Sequence, residues 1–309
     1  MSADAPVRTG TTPPAAPPPT RRSKSRVDTA FYVMLLPALA LFTVLIVGPA
    51  LAGMFFSVTN YVGYGEYSFI GLNNFLVLFT DPRILTSYGF TIGFSIVTVL
   101  LVNALGLLLA VGLNAKIRFK TALRGVFFVP MVVSGIVIAY VFNYIFSNSL
   151  PAVFTSLGID AWGTSILANP SWAWVGVVIV TAWQAIPSAL IIYLAGLLAI
   201  PEEVYEASSL DGASPWRQFT AITLPLVAGY VVINTVLGFK NFLNAYDIIV
   251  GLTDGGPGTS TYSVAMTIFT GFQTGDYAYQ MANAVVFFVI TVLISLAQLR
   301  LINGRGVSL

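Results

Sequence analysis

The chain has 309 residues, 57% of them hydrophobic and only 8% charged, with a mean hydropathy of +0.85. Soluble domains carry roughly a quarter charged residues, so this composition excludes an ordinary solvated globule and reads as an integral membrane protein. With no His and no Cys, zinc sites, thiol nucleophiles, disulfides and His-based triads are all excluded, leaving no catalytic constellation and no metal site, and a formal charge of +2 gives no reason to expect a nucleic-acid partner.

The first 27 residues hold a Pro/Ala/Thr run from Thr11 to Thr20 followed by Arg21, Arg22, Lys24 and Arg26. So few apolar side chains cannot offset the entropy of ordering, which predicts a disordered basic tail over 1–27. The apolar run that follows, Ala30 to Val58, is too long for a signal-peptide core of about 7–15 residues and reads as a retained span.

A hydrocarbon core needs about 20 apolar residues of helix. Six stretches reach that length, near 30–58, 88–114, 123–147, 172–199, 222–247 and 279–302, which predicts an all-α, six-helix membrane domain over 28–309. Pro37 with Pro49, and Pro187, fall inside the first and fourth stretches and predict kinks there.

Orientation follows from the basic residues. Placing the N-terminal tail inside puts 12 of the 14 Lys and Arg on the cytoplasmic side, including Lys116, Arg118, Lys120, Arg124, Arg217, Arg300 and Arg305. Both termini are then cytoplasmic. The loop 200–221 breaks the pattern, with Glu202, Glu203, Glu206 and Asp211 against Arg217 alone. An acidic juxtamembrane segment is repelled by an anionic leaflet and is expected to face protein. Pro201 suits a first helical turn, the two glutamates suit the positive end of the helix dipole, and Gly212 suits a left-handed helix stop. Ser214 and Pro215 then start another helix, so the loop reads as a projecting elbow near 201–214.

This elbow carries Glu206-Ala207-Ser208, then Asp211-Gly212, and after nine further residues Ile222-Thr223-Leu224-Pro225. The pattern resembles the Glu-Ala-Ala loop of permease subunits in bacterial ATP-binding-cassette importers, with Ser208 where the motif has a second Ala. Phe69-Ile70-Gly71-Leu72-Asn73-Asn74-Phe75, Leu252-Thr253-Asp254-Gly255-Gly256-Pro257, Trp183-x3-Pro187 and Ile200-Pro201-Glu202-Glu203 resemble the carbohydrate branch of that family, of the maltose and glycerol-phosphate permease type. The resemblance implies a type I importer fold in the bacterial cytoplasmic membrane. It implies as partners a second homologous permease, two cytoplasmic ATPases that bind the ATP and magnesium, and an extracytoplasmic substrate-binding protein. It also implies that Glu206, Ala207, Ser208, Asp211, Gly212, Leu224 and Pro225 couple the chain to the ATPase. The sequence itself contains no Gly-Lys dipeptide and hence no phosphate-binding Gly-x4-Gly-Lys-Ser/Thr loop, so ATP hydrolysis falls to a partner and the chain is not an enzyme.

Polar side chains inside a span are costly in lipid and face the bundle interior or a wet cavity. Thr181, Gln184 and Ser188 recur at i, i+3, i+7 in the fourth span; Lys240, Asn244 and Asp247 recur at i, i+4, i+7 in the fifth, beside a stripe of Asn234, Asn241 and Asn244. Read as pathway walls, these amides and hydroxyls suit a carbohydrate. The resemblance points to Thr181, Gln184 and Ser188 in the fourth span and to Asn241 with Asn244 in the fifth, but its third-span contacts fall near Met131 and Gly135, which offer no polar side chain. Interhelical hydrogen bonding is the competing role for each residue, and a Lys240–Asp247 ion pair for those two. Alternatively Lys240 meets an anionic substrate such as glycerol phosphate or another polyol derivative. A self-sufficient secondary transporter is a further alternative, disfavoured because only Lys240 is clearly an ionisable group within a span. Asn103 and Asn143 are expected to be packing residues. Trp162, Trp172 and Trp174, with several tyrosines, are expected to form an interfacial belt.

Overall fold

The computed structural model describes residues 25–115 and 118–303, and the described residues contain only helices and connecting turns. By its contacts the chain divides into two units, 1–52 and 53–309. Helix α1 (Ser25–Phe42), a π-helical turn (Thr43–Val47) and α2 (Gly48–Phe56) follow one another without a break. The helix begins within the stretch read as a tail; residues 1–24 lie outside the described part.

The second unit continues with α3 (Asn73–Leu78) and the 33-residue α4 (Pro82–Asn114). Asp81 starts α4: its carboxylate accepts from the Arg83 amide at 2.9 Å, and Pro82 fills the first helical position, where no amide hydrogen is needed. Then come α5 (Lys120–Val132), α6 (Gly135–Tyr144), a π-helical turn (Ile145–Ser149) and α7 (Leu150–Ser156). Beyond a loop with two short 3-10 turns lie α8 (Ala173–Leu198), α9 (Glu202–Leu210) and α10 (Pro215–Gln218). A third π-helical turn (Phe219–Thr223) leads into α11 (Leu224–Leu226), α12 (Ala228–Leu243), α13 (Asp247–Thr253), α14 (Val264–Gln273) and α15 (Tyr277–Asn303).

Five helical stretches are long and apolar enough to cross a membrane, and a sixth if the bent pair Pro215–Leu226 and Ala228–Leu243 counts as one span. Two expected spans change. The third is displaced to Gly135–Ser156, because the chain is extended at Val133 and Ser134 and α5 ends there as a separate helix. The fifth is not one rod over 222–247: it bends by 61° at Val227 and stops at Leu243.

The three π-helical turns share a cause. Each ends two residues before a proline, namely Pro49, Pro151 and Pro225. A proline ring inside a helix clashes with the carbonyl four residues back, and here those carbonyls belong to Leu45, Ser147 and Ala221, all within the widened turns. The wider turn gives the ring room and keeps the chain helical. Around Pro187 no such turn forms, and α8 runs through unbroken.

In the second unit α8 is the central element, packed along α4 and against α5, α12 and α13; α6 pairs with α13, and α15 packs on α14 and α3. Side chains buried at this centre include Tyr193, Leu190, Val177 and Val180, each 0% exposed. Apolar side chains such as Leu100, Leu108, Val126 and Leu293 point outward, as lipid-facing residues do.

Candidate functional site

A cavity of about 490 Å³ lies beside the middle of α8. Thr181, Gln184 and Ser188 reach it from α8, Asn234 and Asn241 from α12, and Asn244 and Asp247 from the break between α12 and α13. Met131 and Gly135 line it from the interrupted third span. Of the expected pathway residues, the structure brings together all but Lys240.

Lys240 is the correction. The stripe Lys240, Asn244, Asp247 assumes one continuous helix, but α12 ends at Leu243 and α13 restarts at Asp247. Lys240 stays in the last turn of α12, outside the cavity lining, where a cation complements the helix dipole. The Asn244 amide caps this end, donating to the Lys240 carbonyl at 2.8 Å. No Lys240–Asp247 ion pair forms.

The cavity is polar for two distinct reasons. Asn241, Asn244 and Asp247 are exposed side chains in the described chain, a cost that lipid contact would make prohibitive but a water-filled pathway does not. The Thr181 residue is buried, and its hydroxyl has no hydrogen-bond partner among the described residues. Where side chains of the third span offer nothing polar, the backbone does: the Val133 carbonyl, exposed by the α5–α6 break, accepts from Gln184 Nε2 at 3.2 Å. Ser188 Oγ lies 3.9 Å from Met131 Sδ. Sequence pattern alone could not place Tyr246, which also lines the cavity, because its position depends on the helix break.

Asn103 and Asn143 each tie two helices together, and Asn143 also lines a separate cavity of about 590 Å³. Asn103 accepts from the Tyr193 hydroxyl and donates to the Val99 carbonyl, while Asn143 donates to the Leu252 carbonyl at 2.7 Å, joining α6 to α13. Asn234 combines both roles, lining the cavity and donating to the Ala189 carbonyl at 3.3 Å.

At one end of α8 stands the elbow. Glu202 and Glu203 occupy the first turn of α9, and Asp211 is its C-cap. Gly212 takes φ +76°, its amide donates to the Ser209 carbonyl at 3.1 Å, and the Ala213 amide donates to the Ser208 carbonyl at 3.0 Å. This is the paired bonding of a Schellman stop. Nothing lies within 4 Å of where a Gly212 side chain would begin, so conformation rather than space requires glycine. Glu206, Ala207 and Asp211 face outward, with Leu210 90% and Trp216 73% exposed beside them.

Ser208 points the other way. It is buried, donates to the Tyr205 carbonyl at 2.9 Å and accepts from Gln218 Nε2 at 2.9 Å, so its hydroxyl ties α9 to α10. Tyr205 and Thr223 add a hydroxyl–hydroxyl bond at 3.0 Å. Leu224 and Pro225 begin α11, where the chain turns back into the bundle, with Pro225 set against the third π-helical turn.

A helical membrane domain with a polar cavity between broken spans, and a rigid acidic elbow at one end, defines a transport permease. The chain belongs to the family described as binding-protein-dependent transport system inner membrane components, whose model matches residues 102–305. It is 34% identical to the multiple sugar-binding transport system permease protein MsmF of Streptococcus mutans, over 87% of this chain and 94% of that one. It is 30% identical to the probable starch degradation products transport system permease protein AmyD of Thermoanaerobacterium thermosulfurigenes, over 90% and 96%. The fold matches a chain in the crystal structure of a bacterial ABC transporter that imports the acidic polysaccharide alginate, with a TM-score of 0.80 at 21% identity, covering 92% of this chain and 98% of that one.

Proposed function

We propose that this chain is one permease subunit of an ATP-driven importer of a neutral carbohydrate, forming half of the translocation pathway with a second, homologous permease. Two cytoplasmic ATPases and an extracytoplasmic binding protein complete the complex. The observation that carries the substrate class is the cavity lining: Gln184, Ser188, Asn241 and Asn244 supply neutral donors and acceptors, and among the described residues the single charge is the Asp247 carboxylate and no Lys or Arg lines it. Amides and hydroxyls match sugar hydroxyls in both directions. A phosphorylated polyol would meet a like charge and no cation, which disfavours glycerol phosphate.

The acidic elbow is the contact with the ATPase. Its outward face, with Glu206, Ala207, Asp211 and the exposed Leu210 and Trp216, presents charge around an apolar centre, the composition of a docking surface. Closure of the ATPases moves the permeases only if the elbow binds the two ATPase states with different affinity. This reading sets the elbow and both termini in the cytoplasm.

The test is the ATPase rate of the reconstituted complex with its binding protein, measured against neutral oligosaccharides and glycerol 3-phosphate. Stimulation by a neutral sugar and none by glycerol phosphate is expected. The opposite ranking would remove the carbohydrate assignment.

A further inference from the structure

The loop between α7 and α8 holds a second, separate pocket of about 300 Å³, lined by Trp162, Thr164, Ser165, Ile166, Asn169 and Trp172. Two 3-10 turns, Asp160–Trp162 and Ile166–Ala168, shape it. Trp162 is backed by Phe154, ring centroids 5.9 Å apart. Ser165 accepts from the Leu167 amide at 3.2 Å, with Leu167 buried beneath, and the Asn169 side-chain oxygen accepts from the Ser171 amide at 2.9 Å. The walls are therefore braced from behind.

What remains free faces the pocket. Trp162 and Trp172 are 54% and 55% exposed. Among the described residues neither indole N–H has a hydrogen-bond partner, nor do the Asn169 amide hydrogens or the Thr164 hydroxyl. The neighbouring Trp174 differs: its indole donates to the Ser171 carbonyl at 3.0 Å. An interfacial belt explains a tryptophan at the membrane boundary but does not require two rings, a hydroxyl pair and an amide around one uncharged hollow. Flat aromatic faces paired with neutral hydrogen-bonding groups are the chemistry that receives a pyranose ring, apolar on its faces and hydroxylated at its rim.

The pocket also lies where arriving substrate would pass. It sits at the opposite end of the 26-residue α8 from the elbow, about 39 Å away at about 1.5 Å per residue. Through Ser165 it adjoins a further cavity of about 590 Å³ that reaches Thr253, Asp254 and Pro257. Helix α13 walls both that cavity, with Val250 to Thr253, and the central one, with Asp247 and Ile248.

We infer that this pocket is an entry subsite for carbohydrate, in which Trp162 and Trp172 hold a sugar ring before it reaches the central cavity. The inference rests on the carbohydrate reading above. It is tested with the full chain in nanodiscs and maltotriose as the probe, by saturation-transfer NMR, on the parent, Trp162→Ala/Trp172→Ala, Asn169→Ala and Asn244→Ala. Expected is saturation transfer in the parent and in Asn244→Ala, an apparent Kd raised about fivefold or more in the double variant, and a smaller rise in Asn169→Ala, which keeps both rings. Transfer unaffected by the double variant, lost only in Asn244→Ala, or absent from the parent would overturn the subsite. Maltotriose-stimulated ATPase of the whole complex separates the two readings: stimulation without an effect of the tryptophan variants removes the entry subsite alone, whereas a complex that no neutral oligosaccharide stimulates removes the carbohydrate assignment together with it.

Discussion

Gln184 donates its side-chain amide to the main-chain carbonyl of Val133 at 3.2 Å, so one residue of α8 both lines the central cavity and satisfies the backbone where the third span is interrupted. Gly135 lies beside this contact: a methyl group built there would touch both terminal atoms of Gln184 at 3.5 Å, an ordinary van der Waals distance.

Gln184→Ala is therefore expected to cut substrate uptake about tenfold or more while the complex still assembles, since a lost side-chain hydrogen bond costs about 0.5–1.5 kcal/mol and cavity contacts are lost with it. Asn244→Ala is expected to do the same through loss of the α12 cap and a cavity donor. Uptake by reconstituted vesicles, compared with complex yield, decides; normal uptake in both variants would return these residues to packing.

Gly212 holds φ +76°, which an L side chain adopts at a cost of about 1–2 kcal/mol, and more when β-branched. Gly212→Val should thus weaken capture of the ATPase in a pull-down, by about tenfold, with insertion into the membrane unchanged. Undiminished capture would count against the elbow as the docking element.

Gly251 sits where α13 meets α6, and a Cβ there would lie 2.7 Å from Ala139 Cβ and 3.3 Å from the Ile136 carbonyl. Because part of that obstacle is backbone, Gly251→Leu is expected to lower thermal stability in detergent by about 1–3 kcal/mol or prevent folding. Gly112→Ala, with nothing within 4 Å of its Cβ, is the matched control and should be neutral or slightly stabilising.

Asp81 accepts from Arg83 Nη2 at 3.0 Å and from the Tyr279 hydroxyl at 3.2 Å, besides capping α4. The hydrogen bond from Arg83, foremost, holds its carboxyl below the usual carboxylate range. A depressed folded-state pKa contributes stability that is present above the unfolded value of about 3.9 and lost as pH falls through the folded value. Asp81→Ala should lower stability by about 1 kcal/mol near neutral pH, mainly through the cap because Arg83 is 82% exposed, and the difference should shrink below about pH 4. A gap that stays constant down to pH 2 would contradict this.

Purified alone, the chain is expected to hydrolyse no ATP, because the sequence holds no Gly-Lys pair with which to build a phosphate loop. Turnover by a clean preparation, measured as phosphate release, would overturn the assignment of hydrolysis to a partner.

Much of this was legible in the chain itself. Apolar length located the spans because a bilayer demands about 20 consecutive apolar residues whatever the tertiary fold. Glu202, Glu203, Gly212, Ser214 and Pro215 located the elbow's helices because capping and dihedral preferences act within a few residues. The i, i+3, i+7 spacing of Thr181, Gln184 and Ser188 found one cavity wall because α8 is continuous.

The same periodicity misassigned Lys240, because it presumes a helix that in fact ends at Leu243. Whether a span breaks there, at Val133 or at Val227 depends on which neighbouring groups accept the freed backbone polar atoms, and in lipid those partners must come from other helices. Only the folded bundle supplies Gln184 to Val133 and turns Ser208 inward to Gln218. Composition and local code thus determined an all-helical membrane chain with an acidic elbow; three-dimensional packing decided where the spans are interrupted and so which side chains share the cavity.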